Sequence, residues 1–194
     1  MKRCDWCGDD PLYQAYHDQV WGRPVTDPLD LFAKLCLDGQ QAGLSWITIL
    51  RKQPAYYDAF AQFDPHALVR YTDKDMERCL SNPGIVRNRL KVQSIVRNAR
   101  AYVAMVDAGE DFSPFLWSFV DGRPIINEWR SMSEIPVTTP ESEAMSKALK
   151  KRGFNFVGPT ICYAFMQATG LVLDHVIDCH CYDECHTLAE NTVL

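Results

Sequence analysis

Two groups of side chains in this sequence have the types and spacing to do chemistry. The first is a set of cysteines and histidines at the two ends of the chain. Cys4 and His17 lie thirteen positions apart, and His175 and Cys179 lie four apart. On a helix, residues i and i+4 point the same way, so His175 and Cys179 can grip one ion. Together the four make a Cys₂His₂ set, a common closed structural zinc site. The spacing leaves rivals open. Cys4-x-x-Cys7 with Cys179-x-Cys181 offers four cysteines, Cys185 and His186 offer further ligands, and thiols without metal fit equally.

The second group is aromatic. Trp6, Tyr13, Tyr16, Trp21 and Trp46 place three of the five tryptophans within the first 46 residues. They surround a polar stretch, Asp38-Gly39-Gln40-Gln41-Ala42-Gly43-Leu44-Ser45. A glycine inside a helix costs about 1 kcal/mol. The Gly-Gln-Gln-Ala-Gly run therefore reads as a tight turn that brings backbone close to a ligand. Rings with a carboxylate suit a flat cationic or electron-poor ring, held by stacking, cation–π attraction and hydrogen bonding. The same rings also serve as plain core.

These residues need elements to position them, and the punctuation is helical. Asp27-Pro28, Asp64-Pro65, Ser113-Pro114 and Thr139-Pro140 each set a capping residue before a proline suited to a first helical turn. Thr72 with Asp75 is a weaker signal of the same kind. Val92, Ile95, Val96, Ala99, Tyr102, Val103 and Val106 form one helix face. No segment alternates with period two. The spacing predicts an all-α fold of roughly seven to ten short helices. Asp121 to Thr139 is the most irregular segment, and the polar stretch after Cys179 is expected to fray.

The chain has 194 residues, 47% of them hydrophobic, and 23% charged. At that size roughly 70% of the unfolded surface can be buried, so no crosslink is needed. No stretch approaches 18 uninterrupted apolar residues, which argues against a membrane span. No apolar run follows Met-Lys-Arg, so the chain is expected in a reducing cytoplasm. The eight cysteines are then core, metal ligands or reactive thiols. The net charge of −5 argues against nucleic acid, but the distribution reverses that. Arg78, Arg87, Arg89, Lys91, Arg97 and Arg100 fall in one acid-free stretch, and Lys147, Lys150, Lys151 and Arg152 in another. Half the basic groups lie where no acidic group does, the footprint of a polyanion-binding face.

The motifs run in a known order. They are Cys4-Asp-Trp6, Pro11-Leu-Tyr13-x-Ala-Tyr16-His17-Asp18, Trp21-Gly22, and Gly39-Gln-Gln-Ala-Gly-Leu-Ser-Trp-Ile-Thr48. Phe115-Leu-Trp-Ser-Phe119, Ser146-Lys-Ala-Leu-Lys-Lys-Arg-Gly-Phe154, Phe156-Val-Gly158, Thr160-Ile-Cys-Tyr163 and Asp174-His175-Val176 follow. From Cys4 to about Cys179 the chain resembles the bacterial 3-methyladenine DNA glycosylase I family, within the helix-hairpin-helix superfamily. The resemblance implies one glycosylase domain over 1–187, which two packed helical subdomains can compose, and a flexible tail over 188–194.

It also implies zinc, one per chain, at Cys4, His17, His175 and Cys179, tying the terminal segments together. It implies a hairpin near Arg152, Gly153 and Gly158 that binds DNA with Lys147, Lys150 and Lys151. Backbone N–H groups at a helix start bind phosphate, and lysines add counterion release. One of the superfamily's two hairpin glycines is replaced near Phe156, so a somewhat different geometry is expected.

For the reaction, the resemblance implies a monomer acting on double-stranded DNA with alkylated bases. A damaged base must leave the stack before its atoms are reachable. Leu44, beside Gly43, is the candidate wedge, and Gln41 a contact to the opposite strand. The flipped base would stack on Trp46 and Tyr16, with Trp6, Tyr13 and Trp21 lining the pocket. Asp38 and Tyr16 are the catalytic candidates, and free 3-methyladenine is the product. The superfamily's catalytic aspartate position holds Leu173, and no lysine stands out as a Schiff-base nucleophile, so strand cleavage is not expected. Asp174 reads as support for a neighbouring ligand.

Two departures carry weight. Asp38 replaces the family's glutamate and reaches less far by one bond, roughly 1.5 Å. Ala164 replaces a serine common near the base. The first leaves an alternative, a zinc-stapled module that binds alkylated DNA with weak or no catalysis. A thiol enzyme pairing a cysteine with His66 or His180 has only residue counts behind it.

Overall fold

A computed structural model describes residues 1–194. The chain forms α1 (Pro11–Gln19), α2 (Pro28–Gln41), α3 (Trp46–Ala59), α4 (Pro65–Leu68) and α5 (Asp73–Ser81). It continues with α6 (Arg89–Asp107), α7 (Phe112–Trp117), α8 (Pro140–Lys151), α9 (Pro159–Ala168) and α10 (Tyr182–Glu190). Two strands, β1 (Ile125–Ile126) and β2 (Val172–Leu173), pair in parallel with Ile125 opposite Val172. They correct the all-α expectation only locally, since two residues are too few to show alternation.

The caps explain where the helices begin. Asp10, Asp27 and Asp64 each accept backbone N–H bonds before a proline, and Thr72 and Thr139 close capping boxes. The Ser113-Pro114 start is a miss: α7 begins two residues earlier, with Asp111 as its cap.

Helix α2 lies at the centre and packs against α3, α6, α7 and α9. Its apolar face, Leu31, Phe32, Leu35 and Leu37, is fully buried. Truncating a buried ring such as Phe32 costs about 3–5 kcal/mol. The predicted face of α6 is buried from Val92 to Tyr102, whereas Val106 emerges into solvent.

The glycine-flanked segment is not a turn throughout. Asp38, Gly39, Gln40 and Gln41 complete α2, and the turn is confined to the residues between Gln41 and Trp46. Gly39 is explained by packing instead: a Cβ there would sit 3.1 Å from the Cβ of Phe156 and 3.2 Å from its carbonyl oxygen. The glycine lets the α8–α9 connection close onto α2.

The expected fraying after Cys179 does not occur either. Tyr182, Cys185 and Ala189 form a buried stripe on α10 inside an otherwise polar sequence. The flexible tail expected over 188–194 begins inside this helix, and the Leu194 N–H donates to the Gly122 carbonyl at 2.9 Å. No helix is long and apolar enough to cross a membrane.

Candidate functional site

The five aromatic residues singled out above line one cavity of about 260 Å³. Trp6 comes from the N-terminal turn, Tyr13 and Tyr16 from α1, Trp21 from the loop after it, and Trp46 from the start of α3. They support one another: Trp6 and Tyr13 meet edge to face with ring centres 5.0 Å apart, while Trp6 and Trp21 at 5.1 Å and Tyr16 and Trp46 at 5.5 Å are tilted. Met132, Ala164, Gln167 and Ala168 complete the lining.

Asp38 lines the same cavity, with 1% of its surface exposed. One carboxylate oxygen takes the ammonium of Lys34, while Oδ2 has no partner in the protein. The indole nitrogens of Trp6 and Trp46 are likewise buried without acceptors. Buried polar groups are nearly always bonded, so three unpartnered ones around a single cavity point to a polar ligand. Burial raises Asp38 above the ordinary carboxylate range, and the Lys34 charge opposes this. Burial also holds the Tyr16 hydroxyl far above its usual value, so it is a neutral donor.

Lys34 is a cavity residue that sequence reasoning missed. Its ammonium lies 3.9 Å from the centre of the Trp46 ring. The available signal was its position, i−4 from Asp38, which puts both side chains on one helix face. Gln167 was missed too. It donates to Asp174, as do Asn127, Trp129 and Tyr163, at 2.5 to 2.8 Å. Four donors hold this fully buried carboxylate, and through Gln167 it braces the cavity wall.

The turn after α2 carries Leu44 at its tip, 41% exposed, and Gly43 in the left-handed region. Gln41 also lines the cavity. Lys91 holds this turn from α6 by donating to the carbonyls of Gln40 and Ala42 at 2.8 and 2.6 Å. Asn98 does the same for the α8–α9 connection, accepting from the Asn155 N–H at 2.7 Å and donating to its carbonyl at 3.2 Å. Phe156 adopts a φ of 55°, the left-handed backbone usually given to glycine, so this residue is strained.

The basic face is smaller than the sequence count. Arg78 pairs with Asp75, Arg89 with Glu77, and Lys91 is buried. Arg152, expected among the DNA contacts, pairs with Glu110 and covers Phe115 at 4.2 Å. Arg87, Arg97, Arg100, Lys147, Lys150 and Lys151 remain exposed, and Gly153 and Gly158 flank the connection beside the lysines.

Cys4, His17, His175 and Cys179 converge, all buried, with their ligand atoms within 4.8 Å of one another. Three sulfur–nitrogen separations are 3.5 Å. A tetrahedron with Zn–S about 2.3 Å and Zn–N about 2.0–2.1 Å has such an edge at about 3.5 Å, so the four fit a metal ion. The remaining ring nitrogens are also engaged: His17 Nδ1 contacts Asp18 Oδ1 at 2.8 Å and His175 Nε2 contacts the Trp21 carbonyl at 3.1 Å. The i, i+4 helix expected at 175–179 is absent, because that segment is a series of turns after β2. A Cβ on Gly22 would lie 2.9 Å from the His175 ring, so only glycine admits it. Burial pushes Cys36, Cys162, Cys181 and Cys185 up, Cys185 to about 11 and Cys162 to about 12, which leaves these thiols unreactive.

A helical scaffold around a ring-lined, carboxylate-bearing pocket defines a protein built to hold a flat aromatic ligand. Residues 6–182 match the model of the methyladenine glycosylase family, and the chain belongs to that family. It is 55% identical to DNA-3-methyladenine glycosylase 1 of Escherichia coli (strain K12), over 94% of this chain and 97% of that one. A crystal structure of a 3-methyladenine DNA glycosylase I superposes with a TM-score of 0.92 at 56% identity, covering 93% of this chain and all of the other. A tyrosine-to-phenylalanine variant solved in complex with 3-methyladenine superposes with a TM-score of 0.90 at 39% identity, covering 94% and 98%.

Proposed function

We propose that this chain is a DNA N-glycosylase that releases 3-methyladenine from alkylated double-stranded DNA and leaves the strands uncut. Asp38 carries the proposal: a fully buried carboxylate with one oxygen unpartnered in a cavity walled by five aromatic rings. Relatives named for that activity, and a neighbour solved with the free base, support it.

The lesion is flipped into the cavity while Leu44 fills the vacated stack. Gln41 meets the opposite strand, and Lys147, Lys150 and Lys151 with the backbone from Gly153 to Gly158 hold phosphates, in the manner of a helix-hairpin-helix. The base stacks on Trp46 and Tyr16, with Trp6, Tyr13 and Trp21 around it, and donates a hydrogen bond to Asp38 Oδ2. Methylation at N3 gives the base a positive charge and makes it a good leaving group. When the bond from the sugar C1′ to the base breaks, its electron pair leaves with the base. Water then adds to C1′ and loses a proton. The cavity favours this step by holding the departing base, so complementarity provides most of the selectivity. Leu173 offers no carboxylate to the sugar, and Lys34 is engaged by Asp38 and Trp46, so no strand cleavage follows.

Cys4, His17, His175 and Cys179 would hold zinc as a structural ion, with all four positions filled by protein. The ligands come from both ends of the chain, so the ion would fix Trp6 and Trp21 in the pocket wall. The chain acts as a monomer in the cytoplasm.

Incubation with methylated duplex DNA and chromatography of the supernatant tests the proposal. Free 3-methyladenine without strand nicks is expected. Tight binding of the DNA with no released base overturns it.

A further inference from the structure

The segment that carries His175 and Cys179 runs on into His180 and Cys181, and neither belongs to the four converging ligands. Facing them, Asp18 follows His17 near the end of α1. These three side chains bring one ligand atom each toward a common point. Asp18 Oδ1 and His180 Nε2 lie 3.4 Å apart, His180 Nε2 and Cys181 Sγ 3.5 Å, and Cys181 Sγ and Asp18 Oδ1 3.9 Å. A zinc ion with Zn–N and Zn–O of about 2.0–2.2 Å and Zn–S of about 2.3 Å gives tetrahedral edges of about 3.4 and 3.5 Å. Only the sulfur–oxygen edge is wide, by a few tenths of an ångström.

The ring of His180 is set for a metal. Its Nδ1 lies 2.9 Å from the Lys2 carbonyl, which can only accept, so Nδ1 holds the proton of the neutral ring. Nε2 then turns its lone pair on a carboxylate oxygen and a sulfur, an arrangement that a cation among the three atoms relieves. A proton would satisfy the oxygen alone, because sulfur is a weak hydrogen-bond acceptor, whereas a thiophilic metal satisfies all three. Cys181 is buried, while the side chains of His180 and Asp18 are 25% and 23% exposed. Three protein ligands leave the fourth position to water, unlike the closed set beside them. Arg3 competes for the carboxylate, donating to both Asp18 oxygens at 2.8 to 3.1 Å.

We propose that Asp18, His180 and Cys181 form a second, open and reversibly filled site for a thiophilic divalent cation, with zinc as its natural fit. The site takes none of the four buried ligand residues. His17 meets Asp18 Oδ1 through Nδ1, whereas its Nε2 faces the Cys179 sulfur. The Cys181 thiol gives its proton to solvent as the metal binds. Fewer ligands, and a carboxylate shared with Arg3, make this ion the weaker of the two.

Equilibrium dialysis of the full chain against buffered free zinc, followed by elemental analysis, tests this. Two ions per chain are expected, falling to the single retained ion after passage over a chelating resin. Cys181→Ser is expected to weaken uptake of the second ion at least about tenfold and to leave the retained ion in place. His180→Asn, at a solvent-facing residue, is expected to act the same way and covers a failure of Cys181→Ser to fold. Arg3→Met removes the competing cation and is expected to tighten the second ion at least about tenfold. Cobalt titrated into resin-treated protein should add a sulfur-to-cobalt charge-transfer absorption that Cys181→Ser lacks. A parent that takes up no second ion overturns the site, as does a second ion held equally well by Cys181→Ser and His180→Asn. A resin-treated ratio near zero, with uptake still weakened by both variants, overturns the buried set instead and leaves this site standing.

Discussion

Lys91 on α6 and Ala42 at the end of α2 are joined by a 2.6 Å bond from ammonium to carbonyl, with a second bond to Gln40. The last carbonyls of a helix lack intrahelical partners, and here a buried cation satisfies two of them. The turn bearing Leu44 is thereby anchored at its root. Lys91→Met is expected to lower unfolding free energy by about 2–4 kcal/mol, since two charged hydrogen bonds are lost in a buried place. It should also slow base release on the order of tenfold by loosening the wedge. Denaturant titration and single-turnover release check both, and an unaltered variant would refute the anchoring.

The raised pKa of Asp38 sets the sign of two pH effects. On the role proposed for Asp38, activity needs the ionised carboxylate, so the rate should climb with pH through a limb displaced above the ordinary carboxylate value of about 4. Stability has the opposite sign. The carboxyl favours the folded state below its unfolded pKa, and that contribution is lost as pH rises through the raised folded value. A rate profile with its acid limb at or below the ordinary value would contradict the shift. Asp38→Asn should abolish the limb, lower the rate on the order of 100-fold, and leave Lys34 buried without its partner.

Asp38→Glu tests reach rather than charge. The added carbon–carbon bond extends the carboxylate by roughly 1.5 Å toward the cavity, and Lys34 keeps its partner. Base release equal to or faster than that of the parent is expected in single-turnover assays. A clear loss would show a pocket rebuilt around the shorter side chain and its lysine.

The four converging ligands predict one zinc ion per chain by elemental analysis, and a ratio far below one would sink the assignment. Cys179→Ser is expected to lose the ion and to lower Tm by roughly 10 °C. The termini have a second tie, since Lys2 pairs with Asp178 and its carbonyl accepts from the His180 N–H at 2.9 Å. The variant should therefore remain folded while losing affinity for free 3-methyladenine, because Trp21 contacts His175 directly.

Much of this was legible in residue types and spacing, and the failures share physical causes. Asp27-Pro28 and Thr139-Pro140 marked helix starts because capping is local. The five rings and Asp38 were legible as a group. The turn assigned to Gly39 was wrong because its reason is the distant Phe156, which propensity does not see. Fraying after Cys179 was wrong because Tyr182, Cys185 and Ala189 form only a narrow apolar stripe. Lys34 escaped notice because a lysine reads as solvated until a carboxylate and an indole are seen against it. The pairing of Arg152 was not legible for the reverse reason, as Glu110 lies 42 residues away in sequence.

Lys147, Lys150 and Lys151 are the exposed cations beside the α8–α9 connection, and none of them is paired with a carboxylate, unlike Arg152. Each phosphate contact releases condensed counterions and adds about −0.9 to the slope of log affinity against log salt on duplex DNA. Replacing all three by alanine should flatten that slope by roughly 2–3 and weaken binding to damaged and undamaged duplexes alike. Affinity for free 3-methyladenine should be unchanged, since none of the three lines the cavity. Arg152→Ala should behave differently. It breaks the pair with Glu110 and uncovers Phe115, so it should reduce stability with little change in slope. Should Arg152→Ala flatten the slope as much as a lysine does, the guanidinium must leave Glu110 for a phosphate when DNA arrives.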